Sequence, residues 1–243
     1  MSTVLTGAPL ARLPAAFRVG ALCCLLAFLG SCREAEAPTG PESGSSLIVV
    51  LTPGTRLVFD DWLLDRYGDR IPESFAHRSW SVIAESVKAK GHDDVTIVID
   101  SVAGTSVDTL LFRFTPSGDV YQYGFVARFE QRWGGRTIPQ QWDLIAGFSL
   151  GLVSSWTVGI SDSLGTLRME GESVGRDLMF EAAVNGVATV FQAYRVTCLT
   201  ENLDGVFYLA DQPPAFTYMR WENYVDDLSV TGEISVLVSL TIP

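Results

Sequence analysis

The chain has 243 residues, enough for one well-packed domain and a processed leader. Its residues are 47% hydrophobic and 19% charged, with six Trp, seven Tyr and thirteen Phe, which excludes an intrinsically disordered protein. The formal net charge is −11 and lysine occurs only at Lys88 and Lys90, which excludes the basic surface that nucleic-acid binding needs.

The first predicted element is a leader. Arg12 and Arg18 form a positive region before an apolar run, VGALCCLLAFLG, over residues 19–30. Twelve residues are too few to cross a hydrocarbon core about 30 Å thick, but they suit the apolar region of a secretory signal. The run ends in Leu29-Gly30-Ser31-Cys32. That tetrapeptide resembles the lipobox of bacterial lipoproteins: an aliphatic residue, two small residues, then Cys. The resemblance implies cleavage before Cys32 and a diacylglycerol on its sulfur. A single acyl chain binds a membrane marginally, whereas the two or three chains of that family hold permanently. Residues 33–46, REAEAPTGPESGSS, then read as a flexible tether reaching roughly 20 Å, at about 5–6 Å × √n. The expected organisation is therefore a signal peptide over 1–31, a lipidated Cys and linker over 32–46, and a β-rich domain over 47–243. Arg33 stands where enterobacterial lipoproteins kept at the inner membrane have Asp. The resemblance thus implies the cell envelope and the outer membrane, at its periplasmic face or the cell surface. Cys23 and Cys24 would leave with the leader. Only Cys198 would remain beside Cys32, so no intrachain disulfide is expected, and Cys198 reads as a small buried hydrophobe in a strand.

In the domain, FDDWLLDRYGDRIPE gathers several carboxylates. Asp60, Asp61, Asp65 and Asp69 are calcium candidates, since Ca²⁺ takes six to eight oxygens. The EF-hand spacing is absent, and Tyr67-Gly68-Asp69 reads as a turn in a solvated acidic hairpin. Residues 74–91 fit either a helix, with Ala76, Trp80, Ile83, Ala84 and Val87 on one side and Gly91 as its cap, or a strand alternating through Trp80, Val82 and Ala84. The β runs around the segment favour the strand. DVTIVID puts Val95, Ile97 and Ile99 on one face. A hairpin follows: Leu110, Phe112 and Phe114 alternate, residues 116–119 turn, and the return strand runs through Tyr121, Tyr123, Phe125, Ala127 and Phe129. Residues 134–141 read as a loop. Further alternation marks Trp156–Ile160, Leu167–Met169, Leu178–Val184 and Ile234–Ile242. Asn185-Gly186 is the strongest short hairpin signal in the chain.

This pattern predicts a mainly β domain of nine to twelve strands with at most one or two short helices. It forms either an antiparallel sandwich or a strongly curved sheet, a half-barrel. The segments LTPGTRLVFDDWLLDRYGDRIPES, DTLLFRFTPSGDVYQYG, SWTVGI and ATVFQAYRVTCLTE resemble uncharacterised lipid-anchored bacterial envelope proteins. The architecture is also similar to periplasmic curved-sheet carriers that bind acyl chains. That likeness implies a shelter for an apolar ligand.

One pattern points to chemistry. Residues 171–175, GESVG, match the G-x-S-x-G elbow of α/β-hydrolases. That fold requires its His after the Ser, yet His77 and His92 both precede Ser173. GESVG is therefore expected to be a turn, with no catalytic residue. No cofactor motif occurs. The chain reads as a lipid-anchored envelope protein with a β-rich binding or structural domain. Its partners are the membrane, through the lipid on Cys32, and an apolar ligand or another protein. The rival reading is an envelope hydrolase acting on esters or glycosides.

Overall fold

The computed structural model describes residues 49–129, 131, 137–150, 153–162, 165–199, 203–223 and 232–243. The leader, Cys32 and the linker lie outside them. Strand β1 (Arg56–Leu64) leads through a 3-10 turn (Pro72–Ser74) to β2 (Ala76–Ala89), β3 (His92–Val102), β4 (Thr105–Phe114) and β5 (Val120–Tyr123). A short helix, α1 (Phe125–Phe129), separates β5 from β6 (Trp142–Ala146). After a second 3-10 turn (Phe148–Leu150) come β7 (Val153–Asp162), β8 (Gly165–Val184), β9 (Val187–Leu199), β10 (Leu203–Asp211), β11 (Pro214–Asn223) and β12 (Gly232–Thr241).

All twelve strands form one sheet, in the order β6-β5-β4-β3-β2-β1-β12-β11-β10-β9-β8-β7. Neighbours along it are antiparallel, and short turns join most of them. Three two-residue turns share one geometry. Lys90-Gly91, Ala103-Gly104 and Asn185-Gly186 all have positive φ at both positions, between 49° and 84°. This is the I′ arrangement, whose twist matches that of the flanking strands. Asn-Gly was legible in the sequence; Lys-Gly and Ala-Gly were not, and Gly91 caps no helix. Residues 76–89 are a strand, as the alternation suggested.

The sheet curls because its strands slip. Register shifts interrupt β1 between Val58 and Phe59, β2 at three places, β8 after Ser173 and β10 after Tyr208. Each bulge bends its strand and adds twist. Closure follows at β12. Its first half pairs with β11, while Ser239 and Leu240 pair in parallel with Ala183 and Val184 of β8. Strands β8 to β12 thus form a five-stranded barrel, and β1 to β6 extend from it as a curved sheet. Asn185 fastens the seam: its N–H donates to Leu240 O (2.8 Å), and its Oδ1 accepts from the Ile242 N–H (2.9 Å). Of the two architectures anticipated, the curved sheet is the one formed.

Four local expectations need correction. The hairpin's return strand stops at Tyr123, because Gly124 (φ +68°) turns the chain into α1. In β3 the buried side chains are Val95, Thr96, Val98 and Asp100, whereas Ile97 and Ile99 are only half-buried. In β12 the alternation breaks, since Val58 faces Ser239 and Phe59 faces Leu237, which skips Val238 and inverts the side-chain phase. GESVG is no turn: residues 171–175 lie inside β8, and Ser173 pairs with Ser154 and Val196 on its two sides.

The core is aromatic. Trp80 meets Phe59, Phe112 and Phe216 at ring separations of 5.4, 5.8 and 5.3 Å. These rings come from β1, β2, β4 and β11, so the curved sheet and the barrel share one core.

Candidate functional site

Alternation continued to the end of the core face would bury only apolar side chains. It does not do so here. On β2 the inward residues run Val82, Trp80, Arg78; on β1, Leu57, Phe59, Asp61; on β12, Leu237, Ser235, Glu233. Towards one end, therefore, the inner face of the sheet turns charged. A cavity of about 450 Å³ opens there.

Its apolar walls are Trp80 from β2, Leu110 and Val107 from β4, and Met219 and Trp221 from β11, with Phe125 of α1 as a roof. Phe125 meets Trp221 edge-on, with ring centroids 5.3 Å apart. Trp221 lies over its cross-strand partner Gly205, and a Cβ on that glycine would be 1.9 Å from the ring. The glycine lets the indole lie flat on the sheet and form a wall.

The polar wall centres on Arg78. Its Nε donates to Asp100 Oδ1 (3.0 Å) and Oδ2 (3.2 Å), and its Nη1 donates to Glu233 Oε1 (3.3 Å). Asp61 Oδ2 lies 3.7 Å from Nη1, and Asp61 Oδ1 accepts from Ser235 Oγ. Four adjacent strands, β3, β2, β1 and β12, thus converge on one guanidinium. Burial lowers the affinity of Arg78 for its proton, but the surrounding carboxylates more than offset this, and the group stays charged. Burial also pushes the Asp100 carboxyl above its ordinary range, against the pull of Arg78.

The roof is fixed from behind. Asp143, on β6, is buried and accepts from the Val126 N–H (3.0 Å), which anchors the first turn of α1. Burial raises the Asp143 carboxyl, and the hydrogen bonds from Val126, Gln141 and Phe125 oppose the rise. Arg128 ties the other end of α1 to β4. Its Nε lies 3.0 Å from Asp108 Oδ2, and its Nη2 donates to Thr109 O (3.4 Å). Asp108, Arg128, Gln122 and Gln131 complete the polar lining.

The calcium candidates do not assemble. Asp61 joins Arg78, while Asp60 points the other way to His77, with 3.0 Å between Oδ1 and Nδ1. Asp65 Oδ1 accepts from the N–H groups of Tyr67 and Asp69, which makes it a turn-former. Among the described residues no three His, Cys, Asp or Glu side chains group as a metal site. Asp61 also departs from the solvated hairpin, because its side chain is only 13% exposed. Cys198 lies in β9, as expected of a strand residue. Cys32 lies outside the described residues.

Reading the sequence strand by strand missed Arg78, Asp100 and Glu233. The signal was present in each case as a charged residue on the inward phase of an alternating run. Its meaning appears only when the three strands lie side by side.

Comparisons with known proteins add little to this geometry. No family model matches the chain, and no curated protein matches it. One solved structure is similar over most of its length: a "putative lipoprotein" from Parabacteroides distasonis ATCC 8503. It shares 13% identity at a TM-score of 0.37, and the alignment covers 80% of this chain and 98% of that one.

Proposed function

We propose that this is a lipid-anchored protein of the bacterial envelope whose β domain holds a small ligand with an apolar body. The observation that carries the reading is the cavity: about 450 Å³, walled by Trp80, Trp221 and Phe125 and finished by a few convergent polar groups. Ligand sites have this size and this mixture of linings. Among the described residues no nucleophile paired with an activating base supports the hydrolase alternative.

Val107 lines the cavity yet is 55% exposed, so a larger side chain fits there without disturbing the core. Val107→Trp is expected to block the opening. Titration of the full-length chain with the neutral fluorophore N-phenyl-1-naphthylamine should then show saturable binding that weakens at least about tenfold in the variant, a change of about 1.4 kcal/mol. Binding that never saturates, or that the variant leaves unchanged, would exclude the cavity as the site.

The anchor rests on Leu29-Gly30-Ser31-Cys32. Cys32→Ser should abolish metabolic labelling by a palmitate analogue and release the protein from the membrane fraction, since no other feature of the proposal supplies an acyl chain. Continued labelling in the variant would remove the lipoprotein reading.

A further inference from the structure

The end of the domain where the chain enters is built from separate stretches. Val49 and Leu51 are buried in the core, while Val50 between them is 40% exposed. The Gly54 N–H donates to Val82 O (3.0 Å) and the Val82 N–H to Thr55 O (2.9 Å), which joins the entering chain to β2. A Cβ on Gly54 would lie 3.3 Å from Pro243, and Asn185 holds Ile242 through two side-chain hydrogen bonds, so the last residues and the β8–β9 turn sit alongside. Two more large apolar side chains are exposed here. Ile83, 56% exposed, is the extra residue of a bulge, since Val82 pairs with Val98 and Ala84 with Ile97. Val187, 67% exposed, opens β9 directly after the turn. Residues 49–55, 184–189 and 240–243 contain no charged side chain, in a chain with 28 acids. Arg56 and, on the β10–β11 turn, Asp211 border them. The β2–β3 hairpin runs past β1 at this end and adds both lysines of the chain, Lys88 and Lys90, beside Glu85, Asp93 and Asp94. At the opposite end, by contrast, lie Asp65, Asp69, Glu73, Asp204, Glu222 and Glu233.

We infer that this entry end is a membrane-contact surface, with Val50, Ile83 and Val187 resting in the interface of the bilayer that holds the anchor. The inference rests on the reading of Cys32 as the lipidated residue and adds the orientation of the domain. Residues 33–48 separate Cys32 from Val49, and a coil of that length reaches roughly 20 Å. The entry end is therefore the one kept near the lipid. The ten residues of β12 set the opposite end about 30 Å further away, at about 3.3 Å per residue. The charge distribution agrees, since carboxylates are costly to desolvate and are gathered at the end that faces away. The three side chains together carry fewer carbons than one myristoyl chain, which by itself binds only marginally. The contact therefore orients the domain and does not replace the anchor. It also leaves the cavity uncovered: Arg78 pairs with Phe59 and Glu233 with Leu63, towards the opposite end of β1.

Depth-dependent quenching tests this on the full chain, purified from membranes and reconstituted in phosphatidylcholine vesicles whose acyl chains carry doxyl nitroxides. Ile83→Cys, Val187→Cys and Tyr67→Cys each receive an NBD fluorophore. All three positions are exposed, so the substitutions are expected to leave folding intact. Tyr67, 72% exposed, lies in the β1–β2 connection at the opposite end. The parent chain, carried through the same labelling, subtracts the signal of the native cysteines. Labels at positions 83 and 187 are expected to shift to the blue and lose most of their emission, because apolar interfacial faces sit about 5–10 Å into the headgroup and acyl boundary. The label at position 67 is expected to keep its emission. Vesicle flotation separates the two readings. If the chain floats with the vesicles but positions 83 and 187 are unquenched, the contact surface is overturned and the anchor stands. Equal quenching at all three positions, or stronger quenching at 67, overturns the orientation in the same way. A blue shift at 83 and 187 that grows with protein concentration and occurs without quenching would assign the surface to a second copy of the chain, which also overturns the inference. A chain that fails to float removes the anchor, and the inference with it.

Discussion

Replacing Arg78 with Met is expected to cost about 3–5 kcal/mol of stability at neutral pH, the usual penalty for removing one partner of a buried ion cluster. The side chain of Arg78 is 13% exposed and those of Asp100 and Glu233 are 6% and 10% exposed, so the ion cluster is largely shielded from bulk water. Asp61, Asp100 and Glu233 would then face one another across β1, β2, β3 and β12 without it. The loss should depend on pH, and its sign follows from Asp100. Burial already holds that carboxyl above its ordinary range while Arg78 pulls it down. A folded-state value above the unfolded one means that the native state binds the extra proton. Stability is then greatest below the unfolded value and falls as pH rises through the folded one. Without Arg78 the folded value climbs further, so the deficit of the variant widens towards neutrality and narrows near pH 4, close to the ordinary Asp value of about 3.9. Urea unfolding at the two pH values measures this. A deficit under 1 kcal/mol at neutrality, or one that grows on acidification, would show that the cluster is not held by Arg78. Arg78→Lys should fall between parent and Met, because a lysine keeps the charge but cannot bridge Asp100 and Glu233 as a fork does.

Gly205→Ala is expected to destabilise the domain by about 1–3 kcal/mol or more, the range for adding volume to a filled core. The new methyl would sit 1.9 and 2.2 Å from Cζ3 and Cε3 of Trp221, inside contact distance. Trp221 is 5% exposed, with Phe125 and Phe207 beside its ring at 5.3 and 6.0 Å. Its backbone is held as well, since Trp221 pairs with Glu233 of β12. The indole can move mainly into the cavity. Thermal unfolding and N-phenyl-1-naphthylamine binding should therefore fall together. A variant as stable as the parent would mean that the ring has room to retreat. A variant that is destabilised but binds the probe normally would mean that the ring retreats away from the cavity.

The sequence by itself determined the strands. Alternation through Trp80 and Val82, through Leu110 and Phe112, and through Phe180 and Ala182 reports a local property, a backbone whose side chains change face at every residue. Asn185-Gly186 reports another, since those two residues tolerate positive φ. Both depend on nearest neighbours and can be read from one segment. The expected leader, and the resemblance of Leu29-Gly30-Ser31-Cys32 to a lipobox, rest on the same kind of signal, a run of adjacent residue types.

The tertiary structure decided which face is inside, where strands slip and what the inner face does. Ile97 and Ile99 share a face, but the core took Val98 and Asp100, because Arg78 on the next strand supplies a partner for the carboxylate. Tyr123 ends a strand that alternation would have continued to Phe129, because Asp143, from β6, anchors a helical turn at Val126. Sandwich and curved sheet have the same local pattern. The choice between them fell to a few bulges and to two residue pairs that join β12 to β8. The cavity belongs to this second class. Trp80, Trp221, Arg78, Asp100 and Glu233 come from β2, β11, β3 and β12, and each looks ordinary within its own strand. Their shared chemistry exists only where the sheet curls and brings the strands side by side, since burial and charge pairing depend on neighbours that are distant in the chain.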